Sequence, residues 1–187
     1  MGRAFLANLT TGDPTGEGAS TITQQYVRNT ILKDEVLAES TLQSYQRKVR
    51  EVYLANELEK IQGKEEILSM YLNTIYYGGG AHGIEAAAKT FFAKNARDLT
   101  LSEAALLSGL PQQPSRLSPF ENLDGAIARR NIVLGRMLRL GMITPEEHQA
   151  AVDEEMVIET LHEPEGGIYA ASYFVAHVKK LLQDQFP

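Results

Sequence analysis

The chain has 187 residues, a formal net charge of −6 and a hydrophobic fraction of 43%. That is enough for a globular domain with a real core, and it argues against a general nucleic-acid binder, whose binding face would be basic. Cysteine is absent, which excludes disulfides and thiolate metal sites. No run approaches the ~18 apolar residues of a membrane-spanning helix, and the opening residues lack a signal-peptide pattern. If the protein works at a membrane, its anchor is expected outside this sequence.

Strong helix formers dominate, and alternating β-type segments are scarce, so the fold class expected is all-α. A short helix is expected over residues 4–9. Residues 11–18 form a loop punctuated by Gly12, Pro14, Gly16 and Gly18. A helix follows over 21–32, then a polar link over 33–39, then a long helix over 41–61 closed by Gly63 as a C-cap. Helices are read over 64–74, with Gly78-Gly79-Gly80 beyond it, and over 84–92. Thr100 and Glu103 make a capping box for a helix running to Gly109. Residues 111–119 are irregular, with three prolines. A helix over 123–140 places Arg129, Arg130, Arg136 and Arg139 on its polar side. Thr144, followed by Pro145, starts another. The pattern loosens from residue 160, with a joint at Gly166-Gly167 and a helical period again over 170–182. This divides the chain into a domain over residues 1–160 and a linker over 161–187.

The densest chemistry lies in Gly18-Ala19-Ser20-Thr21-Ile22-Thr23-Gln24-Gln25-Tyr26-Val27-Arg28-Asn29. Its hydroxyl and amide groups donate and accept hydrogen bonds. Arg28 adds a planar fork suited to phosphate or carboxylate. The stretch reads as a surface for a polar, anionic ligand along the start of a helix. On the long helix, Tyr45, Val49, Val52, Ala55 and Leu58 project to one apolar side, with Gln43, Gln46, Arg50 and Glu57 opposite. Glu51 falls inside the apolar arc, with Arg47 and Lys48 on its own face. A carboxylate there is costly unless paired. It reads either as an internal salt bridge or as a cleft wall where cations meet an anion.

Ser20-Thr21-Ile22-Thr23-Gln24-Gln25 and Arg47-Lys48-Val49-Arg50-Glu51 resemble two signatures of the peptidoglycan glycosyltransferases, the glycan-polymerising domains of class A penicillin-binding proteins and monofunctional transglycosylases. A third signature is similar in Lys64, Ile67-Leu68, Tyr71-Leu72-Asn73, Gly78, Gly83 and Phe91-Phe92-Ala93-Lys94. A fourth is similar in Leu101, Glu103-Ala104-Ala105-Leu106-Leu107, Pro111, Pro114 and Pro119. Arg129-Arg130-Asn131-Ile132-Val133-Leu134 resembles the closing helix. The likeness covers about residues 3–150, and several motifs in register are more specific than any one of them.

The resemblance implies a lysozyme-like helical fold with a small membrane-facing lobe. It implies polymerisation of lipid II into glycan strands with release of undecaprenyl diphosphate, at the extracytoplasmic face of the bacterial cytoplasmic membrane. Lipid II, the growing strand and cell-wall assembly proteins are the implied partners, with no nucleic acid. Glu51 matches the family's second essential glutamate. Ser20, Thr21, Gln25, Arg28, Asn29, Arg47 and Lys48 match positions that would hold the substrate and its diphosphate. No residue set reads as a metal site, although the family role of that glutamate admits a divalent ion, magnesium or manganese.

Two departures stand out. The family normally has Lys where Arg28 stands, which keeps the charge and alters the geometry. The first family signature, carrying the general-base glutamate, has no counterpart before Gly18, where Glu17 and Asp13 are the nearby carboxylates. The chain is therefore expected to be a piece of a longer protein. Residues 168–182 resemble the segment leading toward a transpeptidase domain, although no Ser-x-x-Lys triplet occurs. Two other readings compete. One is a lysozyme-like hydrolase working with two carboxylates. The other is an inactive binding module.

Overall fold

The computed structural model describes residues 20–33 and 41–159, apart from the side chains of residues 41–43. The helices expected over 4–9 and 170–182, the loop over 11–18, most of the 33–39 link and the 166–167 joint lie outside the described residues. The described residues are mostly helical, as the composition implies. The chain divides into two compact units, one of residues 1–87 with 110–115, the other of residues 88–109 with 116–187.

The first unit contains α1 (Ile22–Thr30), α2 (Thr41–Ile61) and α3 (Lys64–Leu72). Thr21 caps α1, its hydroxyl accepting from the Gln24 N–H at 3.2 Å. Val27, Leu32 and Ala55 form the core between α1 and α2, with Leu54 and Leu58 packed against them. This arrangement corrects part of the helical projection. Ala55 is buried as expected, but Tyr45, Val49 and Val52 are exposed, Val49 at 70%. The inward stripe of α2 runs Arg47, Glu51, Ala55, Leu58, because its first half faces the polar start of α1 rather than an apolar partner.

Gly63 does not end α2 as a left-handed cap. Its φ is −72°, and it stands immediately before α3, where its N–H donates to the Glu66 carboxylate at 2.6 Å. The helix read over 64–74 ends at Leu72. A hairpin follows that the sequence did not suggest, β1 (Tyr76–Gly78) against β2 (Ala81–His82), antiparallel with Tyr76 opposite His82. Two glycines are required here. Gly78 (φ +94°) comes so close to the Pro114 carbonyl oxygen that a Cβ would sit at 2.6 Å. At Gly83 (φ +85°) a Cβ would lie 2.5 Å from the Asn73 oxygen. Neither conformation suits an L side chain.

Helix α4 (Ile84–Phe92) leads into the second unit, which holds α5 (Leu101–Gly109), α6 (Leu123–Arg139) and α7 (Pro145–Asp153). The Thr100–Glu103 capping box forms, the Thr100 N–H donating to Glu103 at 2.9 Å and the Glu103 N–H to the Thr100 hydroxyl at 3.2 Å. Thr144 and Glu147 make the same reciprocal pair at α7. Ala105, Leu134 and Ala151 are buried together under Leu101, Val133 and Met137. Arg130 is another correction, since it is buried rather than on a polar side. Its guanidinium donates to the Ser102 hydroxyl (2.9 Å) and to the carbonyls of Val152 (2.9 Å) and Glu154 (3.3 Å). Burial pulls its pKa down, opposed by the charge of Glu154.

Candidate active site

The site is built on the polar side of α1, where it meets α2. Glu51 is fully buried. One carboxylate oxygen accepts from Arg47, one helical turn earlier, and the other from the Lys48 ammonium at 3.0 Å. Lys48 also donates to the Ser20 hydroxyl (2.5 Å) and the Gln24 carbonyl oxygen (3.5 Å). Two cations share one buried carboxylate. It lies beside the capped N-terminus of α1, where the helix dipole already favours an anion. Thr23, buried on the same helix, donates to Glu59 at 2.6 Å and ties α1 to the far half of α2.

The next turn of α1 opens on a cavity of about 410 Å³, whose lining includes Gln25, Arg28, Asn29, Lys33, Tyr76 and His82. The rings of Tyr76 and His82 meet with centroids 4.8 Å apart at 36°. No carboxylate lines this cavity among the described residues, and Arg28 and Lys33 bring cations to it. Gln25 touches both parts of the site. Its Nε2 donates to the Ser20 carbonyl at 3.5 Å, and its Oε1 accepts from the Tyr71 hydroxyl at 3.2 Å.

Of the residues expected from sequence, Ser20, Arg47, Lys48 and Glu51 come together in one hydrogen-bonded cluster, while Gln25, Arg28 and Asn29 line the adjoining cavity. Thr21 serves as the helix cap, and its other side borders a separate cavity of about 510 Å³ with Ile22, Glu59, Ile67 and Leu68. Both oxygens of Glu51 are occupied by cations, and no cluster of three or more His, Asp or Glu residues able to hold a metal occurs among the described residues. That donor set does not fit a divalent ion at Glu51.

Sequence reasoning did not place Lys33, Tyr76 or His82 in the site; Tyr76 reads in sequence as a core aromatic, with the lining of a lipid or sugar cleft as the alternative. His82 reads in sequence as a tolerated residue of a glycine-rich turn, and only its pairing opposite Tyr76 brings it to the cavity. Lys33 carries no sequence signal. It follows α1 closely enough to extend the line begun by Arg28.

The chain matches the protein-family profile for transglycosylases over residues 1–138. It is 38% identical over 184 residues to penicillin-binding protein 1A of Aquifex aeolicus, a match covering 98% of this chain and 24% of the relative. It is 40% identical over 170 residues to penicillin-binding protein 1A of Escherichia coli, covering 91% and 19%. Among solved structures, penicillin-binding protein 1A of Haemophilus influenzae superposes with a TM-score of 0.57 at 38% identity, covering 67% of this chain and 18% of that one. The chain thus spans about a quarter or less of the length of these relatives.

Proposed function

This chain belongs to the transglycosylase family, glycosyltransferases of cell-wall synthesis, and from that premise we propose that its α1–α2 site binds the diphosphate of a lipid-linked glycan during polymerisation of lipid II. The observation that carries this reading is the Glu51 cluster. A buried carboxylate holds Arg47 and Lys48 in place, and Lys48 reaches the Ser20 hydroxyl beside a helix N-terminus.

In the reaction, the acceptor sugar hydroxyl forms a new bond to the donor's anomeric carbon. The bond from that carbon to the diphosphate breaks, and its electron pair leaves with undecaprenyl diphosphate. Negative charge therefore grows on the leaving group. Cations fixed in advance at that point stabilise the transition state without reorganisation. Arg47 and Lys48 supply the charge, and Glu51 fixes their geometry. Ser20 and Gln25 hydrogen-bond phosphate or sugar oxygens, and the Arg28 and Asn29 wall takes the adjoining part of the substrate. Glu51, with both oxygens engaged, acts as an organiser of cations rather than as the acceptor's base. The acceptor's proton would go to the general-base glutamate of the family's first signature, which has no counterpart among residues 1–18.

The substrate's lipid would hold the reaction at a membrane surface, and the family resemblance makes that the extracytoplasmic face. No helix among the described residues is long and apolar enough to cross a membrane. The uncovered side of α2, with Tyr45, Val49, Val52 and Tyr53 exposed, supports a lobe that lies against lipid.

The test is lipid II polymerisation in detergent by protein carrying the upstream glutamate signature, followed as a glycan ladder on a gel. A ladder that disappears in Glu51→Gln is expected. Cleavage of finished peptidoglycan with lipid II left intact would overturn the reading in favour of a hydrolase.

A further inference from the structure

Gln25 ends in an amide whose two faces are alike in shape and opposite in hydrogen-bonding sense. Turned one way it offers the cavity a donor, and turned the other way an acceptor that would repel a phosphate. Its neighbours therefore decide whether it can bind an anion. The Ser20 carbonyl can only accept and lies 3.5 Å from Nε2. That contact is long, so it holds the amide weakly. The stronger constraint comes from Tyr71 on α3, whose hydroxyl lies 3.2 Å from Oε1.

A phenol can donate or accept; because the Ser20 carbonyl claims Nε2, it is Oε1 that faces Tyr71, and the hydroxyl donates to it. Burial pushes the Tyr71 hydroxyl above its ordinary pKa and keeps its proton on, with the Arg28 charge acting in the opposite direction. That charge is close enough to act on the phenol. Tyr71 does not line the cavity, so it acts through the amide and not on substrate.

We propose that Tyr71 is a positioning residue for the diphosphate site, fixing the Gln25 amide with Nε2 available to the bound anion. The inference rests on the diphosphate reading of this site. It is tested with the protein titrated calorimetrically with undecaprenyl diphosphate in detergent micelles, using Gln25→Ala, Tyr71→Phe and the double variant, each checked for an unchanged helical spectrum.

Each single variant is expected to bind about five-fold more weakly, the usual consequence of one lost hydrogen bond. The double variant should be no weaker than Gln25→Ala alone, because Tyr71 has nothing left to position. A purely structural role for Tyr71 would make the two losses multiply, and that result overturns the proposal. Wild-type affinity in Tyr71→Phe beside a weakened Gln25→Ala also overturns it while leaving the diphosphate reading intact. Wild-type affinity in Gln25→Ala overturns the proposal and removes Gln25 from the diphosphate site, whereas undiminished binding in both single variants and in Arg47→Ala would overturn the diphosphate reading itself.

Discussion

Replacing Glu51 with Gln preserves the shape of the side chain and removes the carboxylate that Arg47 and Lys48 share. The cost follows from exposure. Glu51 is fully buried, the Arg47 side chain is 14% exposed and that of Lys48 39%. Exposed pairs contribute about 0–1 kcal/mol, and stripping one partner from a buried pair costs about 3–5 kcal/mol. Lys48 can swing into water and Arg47 largely cannot, which places the loss at about 2–3 kcal/mol. For a chain of this size that lowers the midpoint of thermal unfolding by about 4–12 °C. Activity should fall further, by about 10²–10³-fold, because the cations lose their fixed aim at the leaving diphosphate. Thermal unfolding followed by circular dichroism, beside polymerisation rates at a temperature where both proteins are folded, separates the two effects. The exposed Glu57–Lys60 pair on the same helix supplies the control, since Glu57→Gln should change neither quantity noticeably. A Glu51→Gln protein with unchanged turnover would refute the argument, whatever its melting temperature.

Gly78→Ala should destabilise the first unit by about 1–3 kcal/mol, since its φ is +94° and the added methyl meets a backbone oxygen. Denaturant titration measures this, and diphosphate affinity should fall with it. Arg130→Ala should cost about 3 kcal/mol, because the Ser102, Val152 and Glu154 oxygens lose their donor inside the second unit; an unchanged denaturation midpoint would contradict that. Alkaline pH should also destabilise the protein. Burial raises the Tyr71 and Tyr77 hydroxyls above their ordinary value of 10.0. Stability from these groups is thus complete below pH 10 and is lost as pH rises through the folded-state values, where the unfolded chain releases protons first. Melting temperature against pH should fall above pH 10, and Tyr77→Phe should flatten that fall.

Much of the helical layout was legible because its signals are local. A hydroxyl followed three residues later by a glutamate marked the start of α5, and that pair forms as expected. A threonine before a proline marked the start of α7, where Thr144 caps the helix and Glu147 adds a reciprocal bond that the sequence reading did not name. Glu51 was legible for a different reason, since a carboxylate inside an apolar arc with two cations on its face must be paired. The choice of face on α2 was not legible throughout. Periodicity sees that Tyr45, Val49 and Val52 share a side, but not that the partner facing the start of α2 is the polar edge of α1. The hairpin at Tyr76–Gly78 and Ala81–His82 was missed because three glycines suppress the alternation that marks a strand. Their positive φ angles, which close the turn, leave no imprint beyond the residue type. Lys33, Tyr76 and His82 reach the cavity through that hairpin and through the end of α1, neither of which the spacing of side chains encodes.

Pro111 and Pro114 complete the wall of the cavity that α1 begins, and they belong to the first unit although the whole of α5 intervenes. The oldest part of that wall and its last part are therefore separated by most of the described chain. Contacts of such high order form late, since the loop between them must be closed before they contribute. During synthesis α1, α2 and α3 can pack as soon as they emerge, while the seat that Gly78 takes against Pro114 waits for residues 110–115. A nascent chain stopped short of that segment would carry the cation cluster without the enclosure beside it, so the cavity is completed only after the second unit has begun to be made.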